Sequence, residues 1–275
     1  MCLTPDAVYA LVCNGHRVLL ESGAGEGANF SDKDYSEAGG AEITKDTEKV
    51  FACPMILKVE PPSLEQIKLI NPQTIIISAL QLKTQHKKYF ETLAAKRITA
   101  LAFEFIRDSD NAYPAVKSLS EIAGTASVLI AAELLSDANT GNGLMFGNIS
   151  GVPPLEVVIL GAGTVGEFAS RSAIGLGANV KVFDNSLTKL RRIQTHLGGR
   201  PLYTSTIQPK NLTKALKRCD VVIGAVRGTN RAPIVVTENM VQHMKKGAII
   251  IDVSIDMGGC FETSEVTSHK HPPLL

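Results

Sequence analysis

Four apolar residues, Val157-Val158-Ile159-Leu160, run directly into Gly161-Ala162-Gly163-Thr164-Val165-Gly166, and a helical pattern follows as far as Gly177. Gly161 permits a tight turn, Gly163 lets the backbone approach a pyrophosphate, and Gly166 lets the helix pack close to the strand. The N–H groups of Thr164 and Val165 at the helix start then face the phosphates. About 20 residues further on, the next apolar stretch ends at Asp184, where a carboxylate accepts both ribose hydroxyls of a dinucleotide. The same carboxylate repels a 2′-phosphate, so the expected cofactor is NAD rather than NADP. The glycines alone would also shape a turn in an unrelated α/β protein; strand, glycines, helix and terminal acid together carry the dinucleotide reading.

Two further loops follow apolar runs that read as strands, and ligands of such sheets bind beyond the carboxyl ends of their strands. Gly224-Ala225-Val226-Arg227-Gly228 could pass over the adenosine or the nicotinamide ribose. Asp252-Val253-Ser254-Ile255-Asp256-Met257-Gly258-Gly259 could bring the Asp256 carboxylate to the cleft, although an acid before Gly-Gly is also an ordinary turn former.

The elements that must position these residues read as α/β throughout. Apolar, β-branched runs at 17–20, 55–59, 74–80 and 98–103 alternate with helical patterns at 5–13, 31–38 and 84–96, a first α/β domain over residues 1–117. A second series at 157–160, 179–184, 203–206, 220–226 and 248–253, each separated by a helical stretch, gives a Rossmann-type domain over 118–275. The stretch 118–136 joins them, and its Ile122, Val128, Leu129, Ala132 and Leu135 predict a long helix buried between the domains. Residues 137–148, rich in Gly and Asn, read as a turn or hairpin.

Composition narrows the partners. Lys+Arg 28 against Asp+Glu 27 leaves a net charge of +1, which excludes a basic nucleic-acid or anionic-membrane surface. No apolar run approaches the roughly 18–20 residues of a membrane span, and the start lacks a signal-peptide pattern, so the chain is expected in the cytoplasm. Five scattered cysteines without Cys-x-x-Cys or nearby His give no metal site and no disulfide framework, and read as buried reduced thiols.

The segments 158–166, 178–184, 220–226 and, above all, 247–263 resemble the alanine dehydrogenase and pyridine nucleotide transhydrogenase family. The likeness continues through Leu3-Thr4-Pro5, Asn14-Gly15-His16, Glu21-Ser22-Gly23-Ala24-Gly25, Lys58-Val59 and Ser120-Glu121-Ile122-Ala123-Gly124, and so covers essentially the whole chain. It implies two Rossmann-like domains, the first similar to the catalytic domain of formate and glycerate dehydrogenases. It also implies NAD-linked interconversion of L-alanine with pyruvate and ammonia, in a homo-oligomer that is a hexamer in the dehydrogenases. By the resemblance Asp256 is the catalytic aspartate, and Ser120, Asp184, Lys189, Val226 and Ile255 stand at cofactor-contacting positions beside the glycine loop.

The resemblance breaks at two places. A substrate-binding lysine lies two residues beyond a Lys-Val pair in the dehydrogenases, but Lys58-Val59 here is followed by Glu60 and Pro61-Pro62. The catalytic histidine of the family's Leu-His-Leu motif is Gln81, in Leu80-Gln81-Leu82. Gln81 can hydrogen-bond but cannot titrate. Glu60 reverses a charge meant for a substrate carboxylate; it would favour a cationic amine, pair with Lys58 or Lys83, or serve as a solvated loop acid. Lys83 and His86 are candidates for the lost functions or parts of a solvated helix face. The family's first strand, with a substrate-binding arginine, and its last quarter fall outside the residues matched, and the loop around Arg227 and Arg231 is short. Three functions stay open: an alanine dehydrogenase acting on an amino acid or 2-oxo acid, a transhydrogenase-type NAD(H)-binding module, and an NAD-binding relative without amino acid dehydrogenase activity.

Overall fold

The computed structural model describes residues 2–82, 85–109, 113–137, 141–228 and 231–267. The chain divides into two compact units, Met1–Ala115 and Val116–Leu275.

In the first unit, α1 (Pro5–Cys13) starts where the Thr4 hydroxyl accepts the Ala7 N–H and Pro5 supplies a helical φ, and it stops at Asn14 before Gly15 at φ +83°. The helix expected over 31–38 is a short π-helical turn, Asp34–Ala38. β1 (Leu19–Glu21) pairs in parallel with β2 (Glu42–Thr44), and Val8, Tyr35 and Ala41 are buried against them. β3 (Met55–Leu57), β4 (Ile75–Ser78) and β5 (Thr99–Ala102) form a separate parallel sheet in that order. Its core is Ile56 and Ile76 with Phe51 of α2 (Thr47–Phe51), Ile67 of α3 (Leu64–Leu69), and Tyr89 and Leu93 of α4 (Lys87–Ala95). The reading missed β2, α2 and α3, each too short to show a period. α3 is nonetheless well terminated: a Ser63–Gln66 capping box opens it, and the Lys96 ammonium donates to the Ile67, Lys68 and Ile70 carbonyls at its end.

The second unit opens with α5 (Pro114–Ser136) and continues with β6 (Glu156–Leu160), α6 (Thr164–Gly175), β7 (Asn179–Phe183), α7 (Leu187–His196) and β8 (Tyr203–Ser205). α8 (Pro209–Leu216), β9 (Val221–Gly224), α9 (Glu238–Gln242) and β10 (Ile249–Asp252) complete it. All five strands are parallel, in the order β10-β9-β6-β7-β8, so the order reverses at β6, the kind of switch point at which open parallel sheets bind their ligands. The register Val157↔Val221 is fastened below by Asp220, whose carboxylate accepts the Glu156 N–H at 2.9 Å and the Lys245 ammonium at 2.6 Å.

Three expectations are corrected. α5 is not buried all round: Val128, Ala131 and Leu135 pack into the core of the second unit, while Leu119, Ile122, Leu129 and Ile130 are exposed. The same helix is, by length and composition, apolar enough to cross a membrane, which the sequence count passed over because Lys117, Glu121 and Glu133 interrupt the run. The thiols divide, with Cys219 and Cys260 buried but Cys2 and Cys13 exposed.

Candidate functional site

The turn from β6 into α6 uses its three glycines differently. Gly161 sits at φ +104°, and a Cβ there would lie 2.4 Å from the Ala225 carbonyl oxygen. At Gly166 it would lie 1.9 Å from the Gly161 oxygen. At Gly163 it would meet nothing within 4 Å. The outer glycines therefore satisfy the protein's own packing, whereas Gly163 borders open space at the head of α6. Gly163 is also the N-cap, with no side chain to bond the first N–H groups of the twelve-residue helix. This is a cradle for an anionic group, and the donor set fits a pyrophosphate.

Asp184 follows β7 and stands beside that cradle. One carboxylate oxygen accepts the Ala162 N–H at 2.8 Å, and the other accepts the Ser186 N–H at 2.7 Å. The Ala162 carbonyl accepts the Arg192 guanidinium at 3.1 Å, so both polar groups of this residue are held. Lys189 lies in the first turn of α7 and donates its N–H to the Ser186 hydroxyl, the cap of that helix. Ser120 is on α5, one turn before Gly124, where a Cβ would lie 2.4 Å from the Val165 oxygen; the missing side chain lets α5 cross α6 close to its start.

Beyond β9 and β10 the loops are tied by a residue that sequence reasoning passed over. Asp252, the last residue of β10, accepts the N–H groups of Ser254 at 3.0 Å, Cys260 at 2.8 Å and Phe261 at 3.3 Å. It closes residues 252–261 into a loop that carries Asp256, exposed, on the 3₁₀ turn Ile255–Met257. The turn is met from the β9 side, where the Ala232 N–H donates to the Met257 carbonyl at 2.9 Å and the Arg231 guanidinium to the Gly258 carbonyl at 3.3 Å. Ala225, the neighbour of Val226, donates its N–H to Leu160 at 2.7 Å. Burial, reinforced by the Asp252 carboxylate, pushes the Cys260 thiol up to about 12, so it is packing rather than a nucleophile.

Glu60 and Gln81 belong to the first unit. The Lys58 N–H donates to the Ile77 carbonyl and the Ala79 N–H to the Val59 carbonyl, which extends the β3–β4 ladder and sets Glu60 and Gln81 at neighbouring strand ends. Gln81 adopts φ +48°, a left-handed conformation unusual for a side chain of its size, and its N–H donates to a Glu104 carboxylate oxygen at 3.0 Å. The other Glu104 oxygen is buried and has no partner among the described residues. Glu104 also escaped the reading; the signal was its place two residues beyond β5, at the carboxyl edge. His86 is exposed at the N-cap of α4 without a side-chain cap bond, and Lys83 lies outside the described residues.

Comparison with known proteins accounts for both units. The model of the alanine dehydrogenase/PNT N-terminal domain matches residues 1–123, and that of the C-terminal domain matches 127–274. Alanine dehydrogenase of Mycolicibacterium smegmatis is 38% identical over 98% of this chain and 72% of its own length. Alanine dehydrogenase 2 of Staphylococcus aureus is 38% identical over 99% and 73%. Among solved structures, an L-alanine dehydrogenase superposes with a TM-score of 0.91 at 35% identity, covering 98% of this chain and 74% of that one. A transhydrogenase from Sinorhizobium meliloti does so at 0.82 and 25% identity, covering 95% and 76%. The chain belongs to the alanine dehydrogenase/PNT family.

Proposed function

We propose that the protein is an NAD-dependent alanine dehydrogenase, oxidising L-alanine with water to pyruvate and ammonium. The observation that carries the reading is the 38% identity to alanine dehydrogenases across both units, with the glycine cradle and Asp184 side by side in the second. In this reading the N–H groups of Thr164, Val165 and Gly166 face the pyrophosphate, and the remaining lone pairs of Asp184 accept the ribose hydroxyls. Ser120, Lys189, Val226 and Ile255 border the dinucleotide. NAD, when bound, supplies the hydride acceptor. Asp256 orients the reacting groups from a turn that Asp252 keeps in place. Glu60 and Gln81 serve the substrate side, Gln81 as a hydrogen-bonding group and Glu60 towards the ammonium of the amino acid. Proton transfer then falls to carboxylates, with Asp256 and Glu104 the candidates, because Gln81 does not titrate. Assembly as a homo-oligomer is part of the same reading, by family resemblance.

A second reading, an NAD(H)-binding module of transhydrogenase type, is favoured by the Sinorhizobium structure and by the loss of lysine and histidine at 60 and 81. The test is the rate of NADH formation by the purified protein with a panel of L-amino acids at mildly alkaline pH, alongside NAD binding by calorimetry. Turnover with alanine supports the dehydrogenase. Binding without turnover, together with hydride exchange between two dinucleotides in the presence of a partner protein, supports the module and removes the first reading.

A further inference from the structure

Helix α7 turns a basic stripe towards the glycine loop. Lys189, Arg192 and His196 are spaced i, i+3 and i+7, so they share one side of the helix. Two of the three reach the β6–α6 turn. The Arg192 guanidinium donates to the Ala162 carbonyl at 3.1 Å, and His196 Nδ1 lies 3.0 Å from a Glu167 carboxylate oxygen. Glu167 is only 7% exposed, and the same oxygen accepts the Arg171 guanidinium at 2.7 Å. His196 and Arg171 therefore share an acid. Arg192 has none: its one bond among the described residues goes to a neutral carbonyl, and neither it nor Lys189 is in ion-pair contact with a carboxylate there.

Ala162 links this cation to the acid of the site. Its N–H goes to the Asp184 carboxylate at 2.8 Å and its carbonyl to Arg192, so a single residue separates the two charges. Asp184 is already engaged by two backbone N–H groups, Ala162 on one oxygen and Ser186 on the other. The Arg192 residue is exposed, and its guanidinium keeps further N–H groups to donate. Ser186, whose hydroxyl oxygen accepts the Lys189 N–H at 3.3 Å, keeps its own hydroxyl proton to donate.

The chemistry of this set names its ligand. A lone carboxylate after the second strand of a dinucleotide fold refuses a 2′-phosphate, whereas an arginine beside it accommodates one. The guanidinium fork matches two phosphate oxygens, and Lys189, nearly one turn away, adds a point charge. We infer that Arg192 is a specificity-determining residue of the dinucleotide site and admits NADP as a second ligand beside NAD, by taking the 2′-phosphate together with Lys189 and the Ser186 hydroxyl. This rests on the reading of Asp184 as the ribose acid. Asp184 keeps NAD the better ligand, and Arg192 sets the margin.

The bond to Ala162 gives Arg192 a structural task as well, and substitution separates the two. Arg192→Gln retains an N–H donor for the carbonyl but loses the charge; Arg192→Lys retains the charge but loses the fork. The test is calorimetric titration with NAD, NADP and adenosine 2′,5′-bisphosphate, which carries the 2′-phosphate without a pyrophosphate. The unaltered chain is expected to bind all three, NAD more tightly than NADP. Arg192→Gln should weaken NADP and the bisphosphate at least about tenfold, the scale of one charge-assisted contact, and NAD by less than about threefold. Arg192→Lys should lose less NADP affinity than Arg192→Gln. Equal losses for NAD and NADP in Arg192→Gln, no loss for either, or NAD binding by the unaltered chain without measurable NADP binding would each overturn the proposal. Asp184→Ala tests the underlying reading by itself: NADP should gain on NAD, and unchanged affinities for both would remove the ribose acid and this proposal with it.

Discussion

The Asp184 carboxylate accepts the Ala162 N–H at 2.8 Å, and this bond joins the end of β7 to the middle of the glycine loop that follows β6. The acid proposed to bind the ribose and the turn proposed to hold the pyrophosphate are thus tied to each other by the protein's own hydrogen bond. Preorganisation of this kind keeps the ordering cost out of the binding free energy.

Replacing Asp184 with alanine removes both the proposed ribose acceptor and the anchor of the loop. NAD binding should weaken by roughly 1–3 kcal/mol, the scale of a lost charge-assisted hydrogen bond, measured by calorimetry. The preference for NAD over NADP should fall as well, because no carboxylate remains to repel a 2′-phosphate. Unchanged dissociation constants for both dinucleotides would remove Asp184 from the site.

Gly163 and Gly166 should fail in opposite ways. Gly166→Ala drives a Cβ to 1.9 Å from a backbone oxygen and should destabilise the second unit by about 3 kcal/mol, read as a lower denaturant midpoint. Gly163→Ala has open space around it and a φ of −77°, so the fold should be retained. NAD affinity should nevertheless fall at least about tenfold, or about 1.4 kcal/mol. A Gly163→Ala protein that binds NAD normally would place the pyrophosphate elsewhere.

Asp252→Ala leaves the N–H groups of Ser254, Cys260 and Phe261 without their acceptor. Stability should drop by about 1–3 kcal/mol in chemical denaturation. Because the loop carries Asp256, the proposed catalytic aspartate, kcat should fall more than the KM for NAD rises. A variant with lowered stability but unaltered kcat would show that the loop holds its shape by other contacts.

Acid should weaken the second unit through Glu156. Burial alone would raise this carboxyl, but hydrogen bonds from Lys181 and Asn179 outweigh it and hold the group below its ordinary 4.5. The stability it contributes is therefore fully present above about pH 4.5 and is lost as pH falls through the lowered folded value. Glu156→Gln should flatten that part of the stability-pH curve; an unchanged curve would mean the pair adds nothing.

Thiol reagents should separate the cysteines at neutral pH. Cys13 is exposed and should react in the native protein. Burial, reinforced by Asp220, pushes Cys219 up to about 12, and Cys260 stands equally high, so both should react only after unfolding. Rapid native labelling of Cys260, followed by mass spectrometry, would show that the Asp252 loop opens.

Local order wrote several elements directly into the sequence. Thr4-Pro5 and Asn14-Gly15 bracket α1 at Pro5–Cys13, because caps and turns act over three or four residues. The strand, three glycines, helix and terminal acid around 157–184 are legible for the same reason. Elements of three to six residues, such as β2, α2 and α3, show no period and exist because neighbours bury them.

Tertiary structure alone decided the rest. The order β10-β9-β6-β7-β8 and the exposed face of α5 depend on which surfaces find partners, and hydrophobicity does not name its partner. Asp252 and Glu104 became visible as candidates for the site only when the chain brought Cys260 back to β10 and the Gln81 N–H to the Glu104 carboxylate. Their bonds cross 8 and 23 residues of sequence, distances over which a periodic pattern carries no information about contact.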